Sequence, residues 1–199
     1  MSKILIATIY EQYSIIATSN HFSINEVILL VDNEPNETMK KNIKLVDDTL
    51  GKVIKVQKIP TALYDIVSIA TRAVEIIDAV PEKDTIYIDI TSGKKPKSLG
   101  LLYAAYARAE LIAKICYVTE DTKQIIKLPK MHYAINKTQK EVLDLIESNK
   151  DITAQQIAAQ LKLTKGIVYR YIKDLIDFDA IEKEGEVMAL SDFGKILVL

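Results

Sequence analysis

The order of apolar and polar residues divides the chain into two stretches with different rhythms. From Met1 to about Pro129, short continuous runs rich in Ile and Val alternate with longer segments whose apolar residues recur every three or four positions. That alternation is the signature of βα units laid around a largely parallel sheet. The runs place strands at Lys3–Thr8, Glu26–Val31, Lys52–Lys58, Thr85–Ile90 and Ile112–Thr119. Between them the 3.6-residue rhythm predicts helices over Glu11–Asn20, over Glu37–Leu50 closed by Gly51, over Ala62–Ala79 closed by Pro81, and over Pro96–Arg108. A sixth strand, Gln124–Leu128, is expected to fold back antiparallel after the turn at Glu120–Lys123.

Both rhythms break between Pro129 and Thr138, where Pro129, Lys130, His132, Asn136 and Lys137 crowd together. The fold class is therefore α/β: a Rossmann-like, mostly parallel sheet at 1–130, a linker at 131–137, and a C-terminal winged helix-turn-helix domain at 138–199. Within the second domain, helices are predicted at Thr138–Ser148, Thr153–Leu161 and Thr164–Phe178, followed by strands at Ala180–Lys183 and Val187–Leu190. Thr153 and Thr164 are N-cap residues separated by one short helix and a tight turn, which is helix-turn-helix spacing. Ile157, Ala158 and Leu161 supply the apolar stripe of the first of these helices, and Ile167, Val168, Tyr171 and Leu175 that of the second. The strands turn at Glu184–Gly185 to form a wing, and Ser191-Asp-Phe-Gly-Lys opens a closing helix.

Charge changes this picture locally rather than globally. The whole chain, with 26 Lys and Arg against 27 Asp and Glu, is nearly neutral, which says nothing about a nucleic-acid partner. From Lys137 onward there are 9 Lys and Arg against 11 Asp and Glu, an unfavourable balance for binding phosphates. The acids, however, gather at Asp174–Glu186, and none lies between Asp151 and Asp174. The outer face of the second helix is thus locally basic. Lys165, Tyr169 and Arg170 are candidates for contacts in a DNA groove, and Lys162, Thr164 and Lys173 for the backbone of double-stranded DNA. A module that mediates only protein contacts is the competing reading.

Several classes of chemistry fall away. The sequence has no apolar run long enough to span a membrane and no secretory signal, so a cytoplasmic protein is expected. The single cysteine, Cys116, sits in an apolar strand and reads as a core residue. His21 and His132 have no acidic or cysteine neighbours at metal-ligand spacing, so no metal is expected, and His132 reads as a surface or packing residue. A P-loop needs glycine where Ile88 stands and Ser or Thr where Lys95 stands, and no Gly-x-Gly-x-x-Gly follows the first strand, so no nucleotide cofactor of those types is implied.

One loop does carry chemistry. In open α/β sheets ligands bind beyond the strand ends where the winding reverses, which sets the loop after the fourth strand, Asp89-Ile-Thr-Ser-Gly-Lys-Lys-Pro-Lys, against the one after the first, Ala7-Thr-Ile-Tyr-Glu-Gln-Tyr. Pro96 suits a first helical turn, which collects Lys94, Lys95 and Lys97 at the positive pole of that helix. Such a cluster is unfavourable unless an anion sits there, so these lysines, with Gly93 allowing close approach, predict a phosphate site. Thr91 and Ser92 offer hydroxyls, and Tyr10 and Tyr13 aromatic faces for a base.

This combination, with Asp89, Thr91, Gly93 and Lys95 in an Asp-x-Thr-x-Gly-x-Lys pattern and a winged helix after the sheet, resembles the CRISPR-associated Rossmann-fold (CARF) transcription regulators of antiviral defence. The resemblance covers nearly the whole chain. It implies a homodimer whose sensor domains share one pocket for a cyclic oligoadenylate, most often cyclic tetra-adenylate. Thr91, Ser92, Gly93, Lys94 and Lys95 would lie near its phosphates and ribose, and Thr8 and Tyr10 would touch it from the first loop. Ligand binding would shift the two winged helices on DNA. An enzymatic alternative is a slow, metal-independent ring nuclease, since some related sensor domains cleave the cyclic ligand. Neither predicted pocket loop holds a histidine for acid–base work, so such an activity would be slow.

Overall fold

In the computed structural model, which describes residues 1–131, 135–185 and 187–199, the chain divides into two compact units, Met1–His132 and Tyr133–Leu199. His132 lies outside the described residues.

The first unit interleaves strands and helices: β1 (Lys3–Thr8), α1 (Tyr13–Phe22), β2 (Glu26–Asp32), α2 (Glu37–Thr49), β3 (Lys55–Thr61), α3 (Ile66–Asp78), β4 (Thr85–Asp89), α4 (Lys95–Ala107), β5 (Ile112–Val118) and β6 (Ile125–Leu128). The strands form one sheet in the order β3-β2-β1-β4-β5-β6, parallel from β3 to β5, with β6 antiparallel at the edge. Alternate residues face opposite sides, as a pleated strand requires. Leu5 and Ala7 on one face of β1, with Ile9 just beyond it, pack with Val27, Leu29 and Val31 of β2 against Ile15, Met39 and Val46 of α1 and α2. On the other face α3 and α4 pack together at Gly100, where a methyl group would come within 2.6 Å of Ile69 Cγ2.

Three element starts differ from the sequence expectation by two residues or more, each for a local reason. Helix α1 begins at Tyr13 rather than Glu11, because the Tyr10 and Glu11 amides both donate to the Ser92 hydroxyl, at 2.8 and 2.6 Å. Strand β3 begins at Lys55 rather than Lys52, since the Val53 and Ile54 amides turn back to the Leu50 carbonyl at 2.9 Å each. It extends through Pro60, which a sheet edge tolerates because no further strand needs its missing N–H. Helix α3 starts only after Asp65, whose carboxylate accepts the Ser68 amide at 3.0 Å.

The second unit consists of α5 (Lys137–Ser148), α6 (Ala154–Leu161), α7 (Lys165–Asp177), the hairpin β7 (Ile181–Glu184) and β8 (Val187–Leu190), and α8 (Asp192–Val198). Helix α5 starts one residue before the expected Thr138, where Asn136 and Gln139 close a reciprocal capping box. Thr153 and Gln156 do the same for α6, and Lys162 ends that helix in the left-handed region at φ 55°. Val142, Leu143, Ile146, Ile157, Val168, Ile172 and Leu175 meet in one core. The inward row of α7 is therefore Val168, Ile172 and Leu175, while Ile167 and Tyr171 are half-buried.

Gly100→Ala should force α3 and α4 apart and cost about 1–3 kcal/mol, as overpacking of a close contact does. Thermal unfolding of the two proteins checks this through a lowered Tm.

Candidate functional site

The winding reverses between β1 and β4, and the loops that leave those strands are bound to each other there. The Ser92 hydroxyl accepts both first-loop amides, and the Thr8 hydroxyl, itself buried, donates to the Ser92 carbonyl. Thr91 reaches the other way: its hydroxyl accepts the Val118 amide at 2.8 Å and so fastens the loop to β5. Gly93 turns the chain at φ 107°, and a Cβ on it would meet Thr8 Cβ at 2.9 Å, so glycine is required twice over.

Beneath this loop Asp89 is fully buried, its oxygens accepting the Thr91 amide at 2.8 Å and the Thr18 hydroxyl at 3.0 Å. Burial pushes its carboxyl up, and the hydrogen bonds from Thr91 and Thr18 offset that only in part. Cys116 on β5 is buried, and its thiol is pushed up to about 11 by that burial and by the charge of Asp89, as an inert core residue should be.

Of the residues expected around a ligand, Tyr10, Tyr13, Thr91, Ser92 and Gly93 line one cavity of about 420 Å³. Glu11, Glu120 and Lys123, which the sequence reading missed, complete its wall. Lys123 belongs to the β5–β6 turn, where its ammonium lies 3.7 Å from the centre of the Tyr13 ring and donates to the Glu120 carbonyl at 2.7 Å. Burial, followed by the charges of Glu11 and Glu120, pushes the Tyr13 phenol up.

The lysines expected at the anion site separate. Lys94 caps α4 and Lys95 is exposed in its first turn, both outside the cavity wall, with the Lys94 ammonium 5.6 Å from the centre of the exposed Tyr64 ring. Lys97 does not join them. It is fully buried, and its Nζ pairs at 2.7 Å with Asp32 Oδ1 at the end of β2. Burial pulls the Lys97 ammonium down, and Asp32 works against that shift. A helical residue that should have faced an incoming phosphate is thus neutralised from within, because its side chain points over β1 to the next strand end.

On the second unit, Thr164 spends its hydroxyl on the α7 cap, accepting the Ile167 amide at 3.4 Å. Lys165, Tyr169, Arg170 and Lys173 are all exposed, with Lys162 in the preceding turn. Lys165 is steadied by Gln155 of α6 at 3.0 Å. Gly166 between them has open space where a side chain would be. Among the described residues no group of acids, cysteines and histidines is arranged to hold a metal ion, and no helix is long and apolar enough to cross a membrane.

Residues 4–123 match the family model described as HFX_2341_N-like, N-terminal. The chain belongs to this family. Residues 135–178 match a winged helix-turn-helix DNA-binding model, so α5–α7 are the helices of a DNA-binding fold, as the face of α7 suggests. No curated protein matches the sequence. Among solved structures, Can2 from Sulfobacillus thermosulfidooxidans, in complex with cyclic tetra-adenylate, aligns with a TM-score of 0.50 at 16% identity over 98% of this chain and 63% of its own. Protein VC1899 from Vibrio cholerae gives 0.53 at 10% identity over 98% and 63%. Enterococcus italicus Csm6, bound to cyclic hexa-2′-fluoro-hexa-dAMP, gives 0.52 at 13% over 89% and 54%. The chain thus spans less than two thirds of each of these proteins, and at such identities the likeness is one of fold. That fold is an α/β sheet architecture, and the winged helix-turn-helix of this chain rests on the family match over residues 135–178.

Removing the carboxylate from Asp32 should strand Lys97 in the interior. We expect Asp32→Ala to cost about 3–5 kcal/mol in chemical denaturation, and the double replacement Asp32→Leu with Lys97→Met to recover most of that loss.

Proposed function

We propose that this protein is a transcription regulator that binds double-stranded DNA through α7 and the turn before it and responds to a cyclic oligoadenylate held by the sensor domain. The observation that carries the reading is the coexistence, in one chain, of a nucleotide-sized cavity at the switch point, flanked by Lys94 and Lys95, with a winged helix whose outer face is basic. Two proteins of the same fold, Can2 and Csm6, are bound to cyclic oligonucleotides, which supports the ligand class, with cyclic tetra-adenylate as the first to try. In the proposed assembly two chains pair so that a twofold ligand meets both sensor loops. The exposed side chains of Tyr64 and of Leu99, one turn along α4 from Lys95, are the apolar surface a second copy would cover. The ligand then acts by favouring one spacing of the two recognition helices over another. By this reading the protein is a CRISPR-associated regulator of the cytoplasm.

Calorimetry with cyclic tetra-adenylate tests the sensor half. Replacing both Lys94 and Lys95 with alanine should weaken binding at least about tenfold, the loss of two charge-assisted contacts, and should abolish any ligand-dependent change in DNA retardation. Undiminished binding would overturn the assignment. A salt titration of DNA affinity tests the other half: Lys173→Ala should lower the slope of log affinity against log salt by about one unit, as loss of one phosphate contact does.

A further inference from the structure

We propose that the cavity between the β1 and β4 loops is a base site rather than a phosphate site, and that Glu11 and Glu120 make it select a base bearing an exocyclic amine. The inference deepens the cyclic-oligonucleotide reading above and rests on it.

The argument starts from which groups of the loops remain available. Ser92 and Thr91 look from the sequence like phosphate ligands, yet their hydroxyls accept the amides of Tyr10, Glu11 and Val118 and hold three strand ends together. The side chains left to meet a ligand are Tyr10, Tyr13, Glu11, Glu120 and Lys123. Their charge sum is negative, and the one cation among them is already engaged with the Glu120 carbonyl and the Tyr13 ring. Lys94, whose ammonium lies 5.6 Å from the centre of the Tyr64 ring, and the exposed Lys95 stand outside the wall. A phosphate placed in the cavity would face two carboxylates at close quarters, while one placed at the start of α4 would face two ammonium groups.

What suits the cavity is a flat, uncharged, amine-bearing ring. Its volume, about 420 Å³, lies in the range of small-molecule sites. Tyr13 offers a stacking face, the one over which the Lys123 ammonium now lies, and cation and base compete for it. Glu11 and Glu120 are exposed and line the same cavity as Tyr13, which puts carboxylate acceptors in its wall beside that ring. A carboxylate accepts from an amine strongly but has nothing to offer a base edge that only accepts. The polarity of the site is then fixed: bases inward against the acidic wall, phosphates outward on the lysines.

Calorimetry with two ligands differing in one group tests this. Cyclic tetra-adenylate is compared with the cyclic tetranucleotide of purine riboside, in which hydrogen replaces the adenine amine. The native protein should bind the adenine ring at least about tenfold more tightly, the size of a lost charge-assisted hydrogen bond. Glu11→Ala with Glu120→Ala, at exposed positions, should bring the two affinities within about threefold while the unfolding temperature stays unchanged. Equal affinity of the native protein for both ligands, or full discrimination retained by the double variant, overturns the base assignment and leaves the sensor reading standing. Failure of the native protein to bind either ligand overturns both.

Discussion

The first unit is organised around a single hydroxyl. By taking the amides of Tyr10 and Glu11, Ser92 converts two separate strand-end loops into one rigid rim, and the buried Thr8 hydroxyl locks the same residue from below. Everything at the switch point follows from that clasp: the late start of α1, the need for glycine at 93, and the opening of the cavity between the bound loops rather than under either one. The cavity floor is fastened in turn by Thr91 to β5 and by Asp89 to Thr18 on α1. Polar groups here are spent on geometry, and recognition is left to the aromatic and charged side chains that project past them.

Much of the architecture was legible because burial writes itself into periodicity. The runs of β1 and β2 and the antiparallel return at β6 were readable to within a residue or so, as were the caps at Thr153 and Thr164. What the pattern could not carry were contacts made across the fold. Lys97 looked like a third solvent-facing lysine because nothing near it in sequence announces Asp32, and a buried ion pair is visible only when β2 and α4 are set side by side. Glu11, Glu120 and Lys123 were missed for a related reason: turns rich in charge normally face water, and only the approach of the β5–β6 turn to Tyr13 makes them a wall. The starts of α1 and β3 shifted because amides in those segments were claimed by Ser92 and by the Leu50 carbonyl.

The winged-helix unit answers its unfavourable net charge by segregation. Four of its cations, Lys162, Lys165, Arg170 and Lys173, occupy the exposed side of α7 and the turn before it, and six of its acids gather between Asp174, in the last turn of α7, and Glu186, so a polyanion lying along the start of that helix meets the favourable part of the surface. Gly166, open to solvent in the first turn of α7, gives up helix propensity without any packing need in the chain, which suits a surface that must let another backbone come close.

Pro60 has a consequence at the open edge of the six-stranded sheet. The β3 edge is where a second chain could extend the sheet by adding its own strand, and such additions are an unregulated route to polymers. Proline offers no amide there, and Lys55 and Lys58 of the same strand are paired with Glu26 at 2.8 Å and with Asp47 at 2.5 Å, so the edge carries ion pairs rather than a bare apolar strip. With that route blunted, the sheet ends at β3 as a finite structure and does not serve as a template for further strands.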